Sequence, residues 1–515
     1  MTDERRPAHA GHPGRSPHEE DPEKGFITDQ DPLADVREPE PEVLSEDVGA
    51  ATVVGDLPPG LAVLDQRPRP GKPRDYHFPR FERARLANGL TVVQAHLPDR
   101  PLLAVQLVLP GGAMVEGSDI AGVTALTARA LTEGTRHRNA IEFVEAAERL
   151  GAELHADASW EALSCALEVP RSRFGAALAL LAEMALEPAF PGDEVARLRG
   201  ERLNDLLQAR ADPRRRAERV FPETIYSPDF PYSRPLGGIE TTVRGLERET
   251  VAQRHASALR PDRATLAVAG DLTGLALLDL VEQSFGGWET SGGDVVEPEA
   301  SPHPDGARVV LVDRPGAAQS ELRVGHLGLP RSTPDFHVVS VLNALVGGTF
   351  GSRLNRLLRE ERGYTYGIHS AFELRRAAGP FVVRTGVETA VTVPALVETL
   401  DVLRGVREAE VEPQELETVR DYLVGVFPLR FEGSAQVAAA LAGLAVFELP
   451  DDELDRYRPQ IAAVQASDVL RAARRHIRPD EASIVVVGDA TQVEQPLRAA
   501  ELGPLTVIPA VAPVP

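Results

Sequence analysis

The sequence predicts an α+β protein of two homologous halves, each a mainly antiparallel sheet with helices packed against it. Three observations carry this. The segment Arg260-Pro-Asp-Arg-Ala-Thr-Leu-Ala-Val-Ala-Gly-Asp-Leu-Thr273 returns as Arg478-Pro-Asp-Glu-Ala-Ser-Ile-Val-Val-Val-Gly-Asp-Ala-Thr491, 218 residues later and identical at eight of fourteen positions. A repeat of that quality marks two copies of one structural unit. Both copies follow a helical pattern and lead into another, so they occupy equivalent places in their halves. The early strands come in hairpin-like pairs rather than in strict βαβ order, which favours antiparallel pairing.

Residues 1–75 carry 12 of the 43 prolines and one aromatic, Phe26, with acidic runs such as Glu38 to Glu46. Such a segment cannot bury enough apolar surface to offset its ordering entropy, and it reads as a disordered acidic tail. The N-terminal half spans 76–290. Asn88-Gly89 turns into a strand through Val93, and Leu103–Leu109 reads as a second. Gly122–Leu131 is helical, with Val123, Leu126 and Ala130 on one face. Helical patterns follow at Ile141–Leu150, Arg173–Leu186 and Asp193–Ala211, and the strand Thr265–Ala269 closes the half. The Ser/Gly/Pro/acidic stretch 291–306 reads as a linker, and the second half spans 307–505. Each half thus runs strand, strand, helix, strand, helices, strand.

Composition excludes several functions. Fifty-five basic against 78 acidic residues give a net charge of −23, opposite to the basic footprint of a nucleic-acid binder or of a protein docking on anionic membranes. Lys24 and Lys72 are the only lysines. The body of the chain therefore has no Walker lysine and no Schiff-base lysine. Cys165 is the single cysteine, which leaves no intrachain disulfide and reads as a small core residue. Met1-Thr-Asp-Glu-Arg-Arg opens without an apolar targeting segment, and no run of about 18 apolar residues follows. The expectation is a cytoplasmic protein.

None of the 13 histidines forms H-x-x-x-H or H-E-x-x-H, spacings that set two imidazoles on one helical face. His9, His12 and His18 lie in the tail. His137, His155, His255, His369 and His476 stand alone in sequence and read as surface or satisfied core residues. The richest segment is Gly347-Gly-Thr-Phe-Gly-Ser-Arg-Leu-Asn-Arg-Leu-Leu-Arg-Glu-Glu-Arg-Gly-Tyr-Thr-Tyr-Gly367. Its glycines end one helical pattern, Val338–Val346; Ser352 can cap the next, and Gly363 supplies its stop. Arg359 falls on the last helical turn and Tyr366 at the mouth of a strand running through Leu374. A guanidinium and a phenol can together donate to a carbonyl or a developing oxyanion. On physics alone ordinary helix-end packing is the commoner reading of such a pair.

From about residue 78 to 500 the chain resembles the pitrilysin (insulinase) family of zinc metallopeptidases, in its short two-domain form. Asn88-Gly-Leu, Gly122–Thr135, the two Gly-Asp strand endings, Gly347–Tyr366, Asp421-Tyr-Leu-Val-Gly-Val-Phe-Pro428 and Leu454-Asp-Arg-Tyr457 carry the resemblance in collinear order. It implies two α/β-roll domains. Active members carry H-x-x-E-H on the first helix of the unit. Here Gly122-Val-Thr-Ala-Leu-Thr-Ala-Arg-Ala-Leu-Thr-Glu-Gly-Thr135 lies in the same frame, with Ala125 and Arg129 at the two histidine places and Ala128 at the glutamate base. The family's distal glutamate ligand should fall near Leu206–Gln208, where no carboxylate stands; Asp205 is adjacent. An arginine at a ligand position repels a cation, so no metal or cofactor is expected in this chain.

The Arg/Tyr pair that the family sets opposite its zinc is intact, as Arg359 and Tyr366 with the family spacing of seven. The resemblance implies a zinc-less subunit of a heterodimeric endopeptidase, inactive alone and active with a paralogous H-x-x-E-H subunit that holds the zinc. Arg359 and Tyr366 would then position a peptide substrate and stabilise its oxyanion. Neither nucleic acid nor membrane is an expected partner. The net acidic charge would favour basic peptides in the shared chamber. The alternative is a catalytically inactive scaffold or peptide-binding subunit of a larger complex.

Overall fold

A computed structural model describes Gly71, residues 74–290, Gly293 and residues 299–510. Nearly all of the expected tail and seven of the sixteen linker residues lie outside these residues. Among the described residues twelve strands form two six-stranded sheets. The first holds β1 (Phe81–Arg85), β2 (Thr91–His96), β3 (Leu102–Pro110), β4 (Glu153–Ala158), β5 (Ala162–Pro170) and β6 (Thr265–Gly270), in the order β1-β2-β6-β3-β5-β4. The second holds β7 (Val309–Asp313), β8 (Gln319–Leu327), β9 (Ile368–Phe372), β10 (Pro380–Glu388), β11 (Ser483–Gly488) and β12 (Leu505–Ile508), in the order β12-β7-β11-β8-β10-β9.

The repeated segment becomes β6 and β11. Each is buried along its whole length, as a strand covered on both faces must be. Each lies parallel to one neighbour (β6 to β2, β11 to β7) and antiparallel to the other (β6 to β3, β11 to β8). The remaining pairs are antiparallel except β12 with β7. The α+β expectation therefore holds, with mixed sheets. Two details differ from the sequence reading. The hairpin β4–β5 stands where one strand was expected, because Ser159 joins the two: its Oγ accepts from the amides of Glu161 and Ala162. And β12 extends the second sheet to Ile508, past the expected limit at 505.

The expected helices form within one residue of their predicted starts: Val123–Ala130 (α1), Ala140–Leu150, Phe174–Leu186 and Gly192–Ala211 (α2). They cover one face of the first sheet, where Leu103, Val105, Leu107, Leu163 and Val268 join a common core with Phe174, Leu178 and Leu181. Cys165 belongs to this core, and burial pushes its thiol up to about 12, which makes it a packing residue.

The opposite face of each sheet is covered by a helix from the other half. The helix Pro213–Ile225 (α3) lays Ala217, Val220 and Phe221 against Val310, Val312, Val382, Val485 and Val487 of the second sheet. The helix Ser434–Val446 (α4) lays Val437, Ala438, Leu441 and Ala442 against Val93, Ala104, Val108 and Ala267 of the first. Each half thus completes the other's core. The N-terminal end joins this exchange, since Phe78 packs edge-on to Phe431 with ring centroids 5.0 Å apart. The described end of the linker is also held: the His303 amide donates to the Ile225 carbonyl at 2.9 Å. Among the described residues no helix is long and apolar enough to cross a membrane.

Candidate functional site

The segment 347–367 builds a rigid corner. The helix Phe336–Asn343 runs on as a wider, π-type turn over Ala344–Gly348. Gly347 is required there, because a methyl at its Cα would fall 2.6 Å from Ser370 Oγ and 2.8 Å from Ser370 N in the middle of β9. A second π-type turn spans Asn355–Glu361 and carries Arg359. The helix ends as the sequence reading expects, with Gly363 at φ +65° and the Tyr364 amide donating to the Leu358 carbonyl. The expected Ser352 cap does not form. Its buried hydroxyl instead accepts from Asn355 Nδ2 at 3.2 Å, because the turn turns that face inward.

Asn355 is the organising residue, and the sequence reading overlooked it. Its Nδ2 donates to the Ile368 carbonyl at 2.8 Å and its Oδ1 accepts from the Ile368 amide at 3.2 Å. The buried amide thereby clamps the first residue of β9 to the helix. Thr365 holds the other side of the loop, its Oγ1 accepting from the Gly367 amide at 3.1 Å and lying 2.9 Å from Thr385 Oγ1. Tyr366 sits between these two anchors, two residues before the strand rather than in it. Its side chain is 92% exposed, and among the described residues it makes no hydrogen bond.

Arg359 is positioned by stacking. Its guanidinium carbon lies 4.1 Å from the centroid of the Phe350 ring, itself 59% exposed. No carboxylate among the described residues pairs with it, whereas Arg353 and Arg362 on the same helix are tied to Glu415 and Glu398. A guanidinium held on a ring with its donors unspent, and a phenol standing clear of the surface on a braced loop, can both donate to an incoming carbonyl.

The degenerate motif lies on α1. Ala125 is half-buried, Ala128 is buried and Arg129 is exposed. Arg129 Nη2 donates to Glu201 Oε2 on α2 at 2.7 Å. Arg197 converges on the same acidic group, reaching Glu201 at 2.5 Å, Glu194 at 2.6 Å and Glu133 at 2.8 Å. Burial raises the Glu201 pKa, but hydrogen bonds from Arg129 and Arg197 outweigh it and hold the carboxyl below its usual range. The carboxylate that meets Arg129 is Glu201, while near Leu206–Gln208 Leu206 is buried in the core and Asp205 is bound by Arg202 and Arg215. A zinc ion does not fit this donor set. Two alanines and an arginine offer it no lone pair, and Glu201, Glu194 and Glu133 are taken by guanidinium groups. Among the described residues no group of three or more His, Cys, Asp or Glu is placed to hold a metal ion. Three of the five isolated histidines are accounted for locally: buried His255 contacts the Ala185 carbonyl at 2.8 Å and His476 meets Asp335 at 2.7 Å, while His137 is exposed beside Glu187.

Residues 91–236 match the profile of insulinase (peptidase family M16), and residues 245–423 match that of the peptidase M16 inactive domain. The chain belongs to the M16 family. The first match contains the degenerate motif and the second contains Arg359 and Tyr366. An uncharacterised zinc protease of Mycobacterium tuberculosis is 26% identical over 408 residues, covering 79% of this chain and 92% of that protein. The non-peptidase homolog YmxG of Helicobacter pylori is 22% identical over 338 residues, covering 64% of this chain and 76% of its own. The crystal structure of a peptidase M16 inactive domain from Pseudomonas fluorescens superposes with a TM-score of 0.74 at 24% identity, covering 79% of this chain and 98% of that one.

Proposed function

We propose that this protein is the zinc-less subunit of a two-chain M16 endopeptidase, contributing the residues that hold the scissile peptide. What carries the reading is the contrast between its two motif sites. Where relatives place metal ligands, this chain has an ion pair. Where the family places its substrate-binding pair, Arg359 and Tyr366 stand with donors exposed on a braced corner. A structural pair would be expected to spend those donors within the chain. The partner subunit would supply the metal and the attacking water. Tyr366 Oη and the Arg359 guanidinium would donate to the carbonyl oxygen as negative charge builds on it.

The test is peptide cleavage by the purified chain, by an H-x-x-E-H paralogue, and by their mixture. Cleavage in the mixture alone, reduced on the order of 100-fold or more by Tyr366→Phe, supports the shared site. Equal cleavage with either version removes Tyr366 from the site. The second reading, a peptide-binding subunit without peptidase activity, is favoured by the name of the H. pylori relative. It predicts that no mixture cleaves.

A further inference from the structure

We infer that the corner between α2 and α3 is an anion pocket that takes a carboxylate of the bound peptide. The inference rests on the peptide-binding reading above and adds a preference to it. Five arginines (Arg210, Arg214, Arg215, Arg216 and Arg219) fall within ten residues of a chain whose net charge is −23. Four of them, Arg210, Arg215, Arg216 and Arg219, line one small cavity with Leu206 and Pro235. Its volume of about 20 Å³ exceeds the minimum for one water-sized group. It can seat a carboxylate oxygen at the guanidinium edge, and is small for a tetrahedral anion.

The ion pairing at this corner is incomplete. Arg210 pairs with Glu240, Arg215 with Asp205 at 2.7 Å and Arg219 with Glu223 at 3.3 Å. Arg216 is half-buried and has no carboxylate or carbonyl partner among the described residues. Burial lowers its pKa first, and repulsion from Arg219 and Arg210 adds to this, against partial relief from Glu223. Arg214, Arg215 and Arg216 also occupy the first turn of α3, directly after the Asp212 cap and Pro213, where the helix dipole disfavours cations. The chain therefore holds a guanidinium under desolvation, like-charge repulsion and an adverse dipole, which Glu223 offsets only in part. Local conflicts of this kind accompany binding sites, because the ligand completes the charge balance. A carboxylate matches the planar donor fork of Arg216, and Leu206 and Pro235 give it apolar walls.

A peptide can supply such a carboxylate in two ways, as an acidic side chain or as a free C-terminus. This local field opposes the preference for basic peptides that the net charge alone suggested.

The experiment measures binding of fluorescein-labelled ten-residue peptides to the full chain, without any partner. The peptides are one uncharged and amidated, one with a free C-terminus, and one amidated with a single internal glutamate. At least one acidic peptide should bind roughly tenfold or more tightly than the uncharged one, and which of the two does so identifies the source. Arg216→Gln should erase the difference, and Arg216→Lys should keep part of it. The melting temperature of Arg216→Gln should be unchanged or higher, since its removal relieves repulsion. Three results would each overturn the pocket: no discrimination by the native chain, undiminished discrimination by Arg216→Gln, or a clear drop in its melting temperature. Binding indifferent to the carboxylate ends the anion pocket and leaves the peptide-binding reading standing. Failure to bind any of the three peptides ends the pocket as well.

Discussion

Arg129 Nη2 lies 2.7 Å from Glu201 Oε2, so a guanidinium joins α1 to α2 in the frame that the sequence resemblance aligns with the family's metal motif. Both partners remain about two-fifths exposed, and an exposed ion pair of this kind stabilises by up to about 1 kcal/mol. Arg129→Met should therefore cost no more than that in urea unfolding. A loss above about 3 kcal/mol would show that the pair is a structural keystone and not a substitution at a vacated site.

The same contact predicts how the site could be restored. With Ala125→His, Ala128→Glu and Arg129→His combined, the histidine at 129 would face Glu201 across the gap that the guanidinium now bridges. The expected result is about one zinc per chain after dialysis, measured by metal analysis, against none for the native protein. Adding Glu201→Gln should remove it, because the site would lose its only carboxylate ligand. Zinc retained after that change would mean that Glu201 is not the residue facing the frame.

At the opposite motif, exposure separates function from stability. Tyr366 touches almost nothing, so Tyr366→Phe should leave unfolding within about 0.5 kcal/mol of native, whatever it does to the mixture's activity. Phe350→Ala removes the platform beneath Arg359. The stack contributes about 0.5–1 kcal/mol at an exposed site, so activity with the partner should fall roughly two- to fivefold, mostly in KM. A fall as large as that from Tyr366→Phe would mean Phe350 itself meets the substrate.

Much of this was legible in the sequence, for physical reasons. Thr265–Gly270 and Ser483–Gly488 announce themselves because a strand buried on both faces must be apolar throughout, and the repeat doubles the signal. The Arg359–Tyr366 spacing was legible as well. The clamp by Asn355 was not, since a buried amide inside a helix has no signature until its partner, Ile368, is known. Counting residues from the motif points to Leu206–Gln208; the carboxylate that Arg129 meets, Glu201, lies more than one turn earlier on α2. The signal that could have found Glu201 was charge periodicity: Glu194, Arg197 and Glu201 share one helical face, complementary to Arg129. The exchange of α3 and α4 between halves was hidden because an amphipathic face does not say which sheet it covers.

That exchange has a thermodynamic consequence. Leu441 of α4 is fully buried against the first sheet although its helix belongs to the second half. Leu441→Ala should cost about 2–5 kcal/mol. Because α3 and α4 each complete the other half's core, the variant should still unfold in a single transition, with calorimetric and van't Hoff enthalpies in agreement. Two separated transitions would show that the halves fold independently of the exchanged helices.

A buried charge network links the halves through α3. Arg323 of β8, 1% exposed, donates through Nε to Glu218 Oε1 of α3 at 2.8 Å, and Arg384 of β10 donates to the same carboxylate at 3.0 and 3.2 Å. Burial alone would raise the Glu218 pKa, but Arg384 and Arg323 outweigh it and lower it to about 2. An unfolded glutamate titrates near about 4.3. The folded value is depressed, so the stabilisation is fully present above the unfolded pKa and is lost as pH falls through the folded one. Glu218→Gln strips Arg323 and Arg384 of a shared partner, leaving Glu321 and Glu373 respectively. At pH 7 it should cost about 1–3 kcal/mol. Urea unfolding should show the gap between native and variant narrowing steadily from pH 5 to pH 3 and nearly constant from pH 6 to 8. A gap that does not change down to pH 3 would mean that the Glu218 carboxylate contributes packing to this junction and not charge.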